Sequence, residues 1–104
     1  MINFCTYFDK NYLSKFLNLK DSIDRFNFKH TFYILSLDSF VTDFFKKNKF
    51  DNIKVINLDE LENSYIELKA AKKNRDLIEY YFTLSPFLPR FIFERKGINE
   101  ITYL

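Results

Sequence analysis

Apolar runs and amphipathic stretches alternate along the chain, and the hydrophobic period changes at each boundary. Ile2 to Phe8 (INFCTYF) is rich in aromatic and β-branched residues and stops at Asp9-Lys10-Asn11, which predicts a buried strand ending in a turn. From Tyr12 the period lengthens. Leu13, Phe16, Leu17, Ile23 and Phe26 fall near one helical face while Lys15, Asn18, Asp21 and Arg25 lie mostly away from it, the pattern of an amphipathic helix. His30 to Leu37 (HTFYILSL) predicts a second strand, apolar on both faces at its centre as parallel strands between helix layers are. Asp38 or Ser39 then caps a short helix through Phe40, Phe44 and Phe45.

Asn52 to Leu58 (NIKVINL) predicts a third strand, and Asp59-Glu60-Leu61-Glu62 places carboxylates at the start of the next helix, where the backbone dipole favours them. Helical runs follow over Ser64 to Asn74 and over Arg75 to about Leu84. Ser85-Pro86 suits a cap and a first-turn proline, with Gly97 as the left-handed end of that helix. Pro89 fits poorly, since at the fourth helical position it deletes a backbone hydrogen bond, so the helix can instead begin one turn later. Glu100 to Leu104 (EITYL) has strand composition. The order β-α-β-α-β-α-α-α-β predicts one α/β unit over residues 1–104, a Rossmann-like parallel sheet with right-handed crossovers and helices on both faces.

Composition narrows the chemistry. The single glycine, Gly97, excludes a Walker phosphate loop and a G-x-G-x-x-G dinucleotide turn, both of which need several. One histidine (His30) and one cysteine (Cys5) exclude a closed Cys/His zinc site and an intrachain disulfide. Sixteen Lys and Arg against 14 Asp and Glu leave a net +2, too little for a global field that would hold nucleic acid. The longest uncharged stretch, Tyr80 to Pro89, is about half of the ~20 residues a spanning helix requires. The first residues lack the basic start and cleavage site of a signal peptide, so no transmembrane segment and a cytoplasmic location are expected.

Two clusters are candidates for binding. The first strand delivers Thr6, Tyr7, Phe8 and Asp9 to the carboxyl edge of the sheet, with Tyr12 one turn on; a hydroxyl, a carboxylate and aromatic faces suit a nucleoside. The same residues also suit a plainer role, Asp9 capping the first helix and Tyr12 packing against it, and composition alone favours that role. Lys72, Lys73 and Arg75 precede Glu79-Tyr80-Tyr81-Phe82-Thr83, and cations beside a helix start can grip a diphosphate, although most charge runs are solvated faces. Cys5 reads as a small buried hydrophobe. His30 has no Ser or Asp partner implied by spacing. Asp59 and Glu62 read as helix-start carboxylates rather than a metal or acid/base pair.

The segments FCTYFDKNYLSKFLNLKDSI, INLDELE, AKKNRDLIEYYFTLSPFL and EITYL resemble, in order and spacing, bacterial nucleotide-diphospho-sugar glycosyltransferases of the GT-A fold, distantly glycogenin-like. NRDLIEYYFTLSP is the most specific of these motifs. The resemblance implies transfer of a sugar from a nucleotide-diphosphate sugar to a saccharide or lipid-linked acceptor in polysaccharide biosynthesis. It implies nucleoside binding by Thr6, Tyr7, Phe8, Asp9 and Tyr12, and donor phosphate contacts from Lys72 and Arg75, with Thr83 as a weaker polar contact. The family's next feature, an Asp-x-Asp that holds a divalent metal (Mn or Mg) after a strand like ITYL, has no counterpart before Leu104. The expectation is therefore the donor-binding N-terminal half of a glycosyltransferase, inactive alone, with no catalytic residue or metal ligand assigned. The alternative is a non-enzymatic α/β interaction module that pairs through its C-terminal edge strand.

Overall fold

A computed structural model describes all 104 residues. The elements are β1 (Ile2–Phe8), α1 (Leu13–Asp24), β2 (His30–Ser36), α2 (Ser39–Lys47), β3 (Ile53–Asn57), α3 (Leu58–Ser64), α4 (Ile66–Asn74), α5 (Leu77–Leu84), α6 (Phe87–Lys96) and β4 (Thr102–Tyr103). The four strands form one wholly parallel sheet in the order β3-β2-β1-β4. The chain is an α/β protein of Rossmann-like architecture.

Strand alternation sorts the core into two layers. On β2, Phe32 and Ile34 join Phe8, Leu13, Phe16, Val41 and Phe45, so α1 and α2 cover one face. Tyr33 and Leu35 point the other way and join Cys5, Ile56, Leu61, Leu68, Tyr80 and Leu88, so α3 to α6 cover the opposite face. Each fully buried side chain of this size stabilises the fold by about 1.5–3 kcal/mol, which explains why β2 tolerates almost no polar residue at its centre. The chain crosses from one face to the other between β3 and β4. β4 therefore lands beside β1 rather than beside β3, and a topological switch lies between β1 and β4.

Four local expectations are corrected. The helical stretch after β3 is two helices rather than one, because Tyr65 leaves helical geometry (φ −135°, ψ 105°) to bury its ring. There the ring packs 5.2 Å from Phe87, lies under the Arg90 guanidinium at 4.7 Å, and its hydroxyl donates to Glu94 at 3.1 Å. Ser85 is the C-terminal cap of α5 rather than the start of α6, which begins at Phe87. Pro89 then occupies the third helical position, where the backbone N–H would have had no partner, and so costs no hydrogen bond. Of the expected strand Glu100 to Leu104 only Thr102 and Tyr103 pair, since β1 is their sole neighbour; the Leu104 N–H still donates to the Cys5 carbonyl at 3.0 Å. Phe26 and Phe40, placed on apolar helix faces by spacing, are exposed, Phe26 because α1 ends before reaching it.

Gly97 closes α6 in the left-handed region (φ 65°, ψ 29°), as its position predicted. No helix is long and apolar enough to cross a membrane.

Candidate functional site

In open parallel sheets a crevice forms beyond the carboxyl ends of the strands where the connections diverge. Here that position is the exit of β1, flanked by β2 and β4, and it holds a cavity of about 390 Å³. Thr6, Tyr7, Phe8, Asp9 and Tyr12 all line it, together with Phe16, Leu19, Leu37, Tyr81 and Leu104. The five residues nominated for a nucleoside are thus brought to one concave, mostly apolar surface.

The turn after β1 is built by local hydrogen bonding. Asp9 Oδ1 accepts from the Asn11 N–H at 2.9 Å and the Asp9 carbonyl accepts from the Tyr12 N–H at 3.1 Å. Asp9 therefore shapes the turn and does not cap α1, whose cap position is Tyr12 with no side-chain cap bond. The other Asp9 oxygen makes no hydrogen bond within the chain. Tyr12 is 44% exposed, its ring centre 6.0 Å from that of Phe8 and 5.9 Å from Lys15 Nζ, so part of the ring is open at the cavity mouth. Thr6 and Phe8 are buried and offer only their edges.

Asp38 locks this turn in place. Its Oδ1 accepts from the Val41 N–H at 2.9 Å, capping α2, and its Oδ2 accepts from the Lys10 N–H at 2.9 Å. The Leu37 N–H adds a bond to the Phe8 carbonyl at 3.1 Å. Two strand exits are thereby held as one rim. Tyr81 forms the wall contributed by α5; burial first, then the Asp9 and Asp38 carboxylates, push its phenol above the ordinary range, while Lys72 pulls the other way.

The second nominated cluster is not assembled around this cavity. Lys72 pairs with Glu62 Oε2 at 3.1 Å and lies 6.0 Å from the Tyr80 ring centre, reaching the cavity only through its field at Tyr81. Lys69, Lys72 and Lys73 line a separate depression with Glu62 and Asn63. Arg75 is exposed at the C-terminal cap of α4 and lines no part of the cavity. Thr83 Oγ1 donates to the Glu79 carbonyl of its own helix at 3.0 Å.

His30 has an Asp partner that sequence spacing hides: Nε2 meets Asp24 Oδ1 at 2.6 Å and Nδ1 meets the Phe28 carbonyl at 2.9 Å. Lys20 also pairs with Asp24, and Asn52 Nδ2 donates to Asp24 Oδ1 at 3.0 Å. This network sits at the amino end of the sheet, ties α1 to β2 and the turn before β3, and contains no nucleophile. Asp59 and Glu62 do not converge: Asp59 accepts from the Glu60 N–H at 3.1 Å, and Glu62 accepts from the Tyr80 hydroxyl at 2.6 Å. Burial pushes the Cys5 thiol up to about 12, which makes it inert.

No three His, Cys, Asp or Glu side chains converge anywhere in the chain. Sequence reasoning missed Phe16, Leu19, Leu37, Tyr81 and Leu104 as cavity residues and saw Asp38 only as a cap. Tyr81 lies inside a segment already singled out, but the helical period alone does not say which of Tyr80 and Tyr81 turns inward. In comparisons with known proteins the chain matches no family model, no curated protein and no solved structure.

Proposed function

We propose that the cavity at the exit of β1 binds the nucleoside of a nucleotide-diphosphate sugar, and that the chain serves glycosyl transfer from that donor to a saccharide or lipid-linked acceptor. The observation that carries the reading is the convergence of Thr6, Tyr7, Phe8, Asp9 and Tyr12 on one cavity at the topological switch. In this arrangement the exposed Tyr12 ring stacks on the base. The free Asp9 oxygen accepts from ribose hydroxyls, and the Tyr81 phenol donates to an oxygen of the ribose or the first phosphate. Lys72, Arg75 and Thr83, which lie outside the cavity, contact the diphosphate and sugar only if these extend across α5 and the end of α4. The reading assigns binding and orientation to this chain's residues and no bond-breaking step.

Calorimetric titration with uridine diphosphate and guanosine diphosphate tests it. One of the two binds the wild type, and Tyr12→Ala weakens that binding by about tenfold through loss of the stacked ring. Lys72→Ala and Arg75→Ala report separately whether the basic segment reaches the phosphates. Binding unchanged in Tyr12→Ala refutes the site.

A second reading, an interaction module pairing through β4, is favoured by one observation. Thr102 and Tyr103 are exposed and bonded to β1 on one side only. A defined dimer on gel filtration, lost on Tyr103→Pro, supports it over the first.

A further inference from the structure

The opposite edge of the sheet carries a groove of about 350 Å³ between β3 and α2. Its floor is made by alternate side chains of β3, including Ile53 and Val55, and its wall by Phe45, Lys46, Lys49 and Phe50. β3 has a neighbour on one side only. The Phe32 N–H donates to the Asn52 carbonyl at 2.8 Å, so Asn52, and by the two-residue period Lys54 and Ile56, turn their backbone groups toward β2. Val55 consequently presents its N–H and carbonyl outward, directly above an apolar trough.

Charge defines what fits there. Lys46 and Lys49 line the groove, no carboxylate is among its lining residues, and neither lysine forms an ion pair. A segment seated in the groove therefore meets two unpaired cations, apolar side chains along its length and unpaired backbone groups beside it.

We propose that this groove docks an extended acidic segment of another protein, which adds to β3 as a fifth strand. Backbone bonds to Val55 supply affinity, apolar side chains fill the trough over Ile53 and Val55, and acidic residues on the same face of the segment, beside Lys46 and Lys49, set the preference. The site is separate from the cavity at the exit of β1 and does not depend on nucleotide binding.

The probe is a labelled peptide of about eight residues in which one face carries two central Val flanked by Glu and the other face carries Thr, set against the same peptide with Lys in place of Glu, titrated into the full chain by fluorescence anisotropy. The acidic peptide binds and the basic one does not. Exchange of the Val55 amide slows by about tenfold at saturation. The double variant Lys46→Glu/Lys49→Glu, both surface positions, weakens the acidic peptide by about tenfold and admits the basic one. Val55→Pro abolishes binding while sparing the β2 pairing, because its N–H faces away from β2; if that variant does not fold, the double variant and the exchange rate decide. Equal binding of the two peptides, no binding at millimolar acidic peptide, or protection at Tyr103 in place of Val55 overturns the proposal. Concentration-dependent protection of Val55 without peptide also overturns it, since the occupant is then a second copy of the chain.

Discussion

Removing the Asp38 carboxylate breaks two bonds with one substitution, and their separate magnitudes can be worked out. The Oδ1 bond to the Val41 N–H is a helix N-cap, whose loss in a change to Ala costs about 1 kcal/mol. The Oδ2 bond to the Lys10 N–H joins the β1 exit to the β2 exit; as a charge-assisted bond in a partly solvated place it contributes about 1 kcal/mol. Asp38→Ala is therefore expected to destabilise the chain by about 2 kcal/mol. With a urea m-value of about 1–1.5 kcal/mol/M for a domain of this size, the unfolding midpoint falls by about 1.5 M, and the melting temperature by about 10 °C. Asp38→Asn keeps one carbonyl acceptor for two donors and falls between Ala and wild type, at about 1 kcal/mol. Urea denaturation followed by circular dichroism gives both numbers, and amide exchange at Lys10 reports the second bond alone. A loss under about 0.5 kcal/mol in Asp38→Ala, or an Asn variant as damaged as the Ala one, would refute the reasoning that one carboxylate serves both loops.

Three further outcomes are expected. Burial alone would raise the Asp24 carboxyl, but hydrogen bonds from Lys20, His30 and Asn52 outweigh it and hold the group below its ordinary 3.8. A carboxyl depressed in the folded state contributes stability above its unfolded pKa and loses it as pH falls through the folded value, so acid unfolding steepens below 3.8 in the wild type and not in Asp24→Asn, as followed by circular dichroism. Gly97→Ala meets no atom within 4 Å, so only the left-handed backbone (φ 65°) resists it; a loss of about 1 kcal/mol in urea denaturation is expected, and a stabilisation would contradict the assignment. Cys5, buried and with its thiol raised to about 12, should react with a colourless disulfide reagent at the rate of global unfolding, and rapid native-state labelling would show that β1 opens locally.

Much of the fold is legible because hydrophobic period and burial coincide. β1 and β2 begin where their composition placed them, since strands covered on both faces leave no ambiguity of face. The caps at Asp38 and Gly97 follow from local backbone chemistry that needs no partner far away. Tyr65 was not legible. An interior aromatic in a helical run breaks that run only because Phe87, Arg90 and Glu94, more than twenty residues on, close around its ring. The exposed Phe26 and Phe40 have the same origin, as spacing identifies a helix face but not where the covering element stops. At the cavity, sequence nominates what one strand exit delivers, Thr6 to Tyr12, because those residues are contiguous. Tyr81 and Leu104 arrive from α5 and the end of β4, and only the crossing of the chain between sheet faces brings them there. The link from Asp24 to His30 likewise depends on the turn between α1 and β2, which no periodicity encodes.

Mapping a nucleoside diphosphate onto the backbone by amide chemical-shift perturbation tests the central claim most directly. On titration with uridine diphosphate or guanosine diphosphate, the shifting amides should form one contiguous set over the exit of β1, residues 6 to 12, with Tyr81 and Leu104, and Tyr12→Ala should collapse the response. Shifts concentrated on the Lys69, Lys72 and Lys73 depression, along the β3 groove, or nowhere at millimolar nucleotide would contradict it.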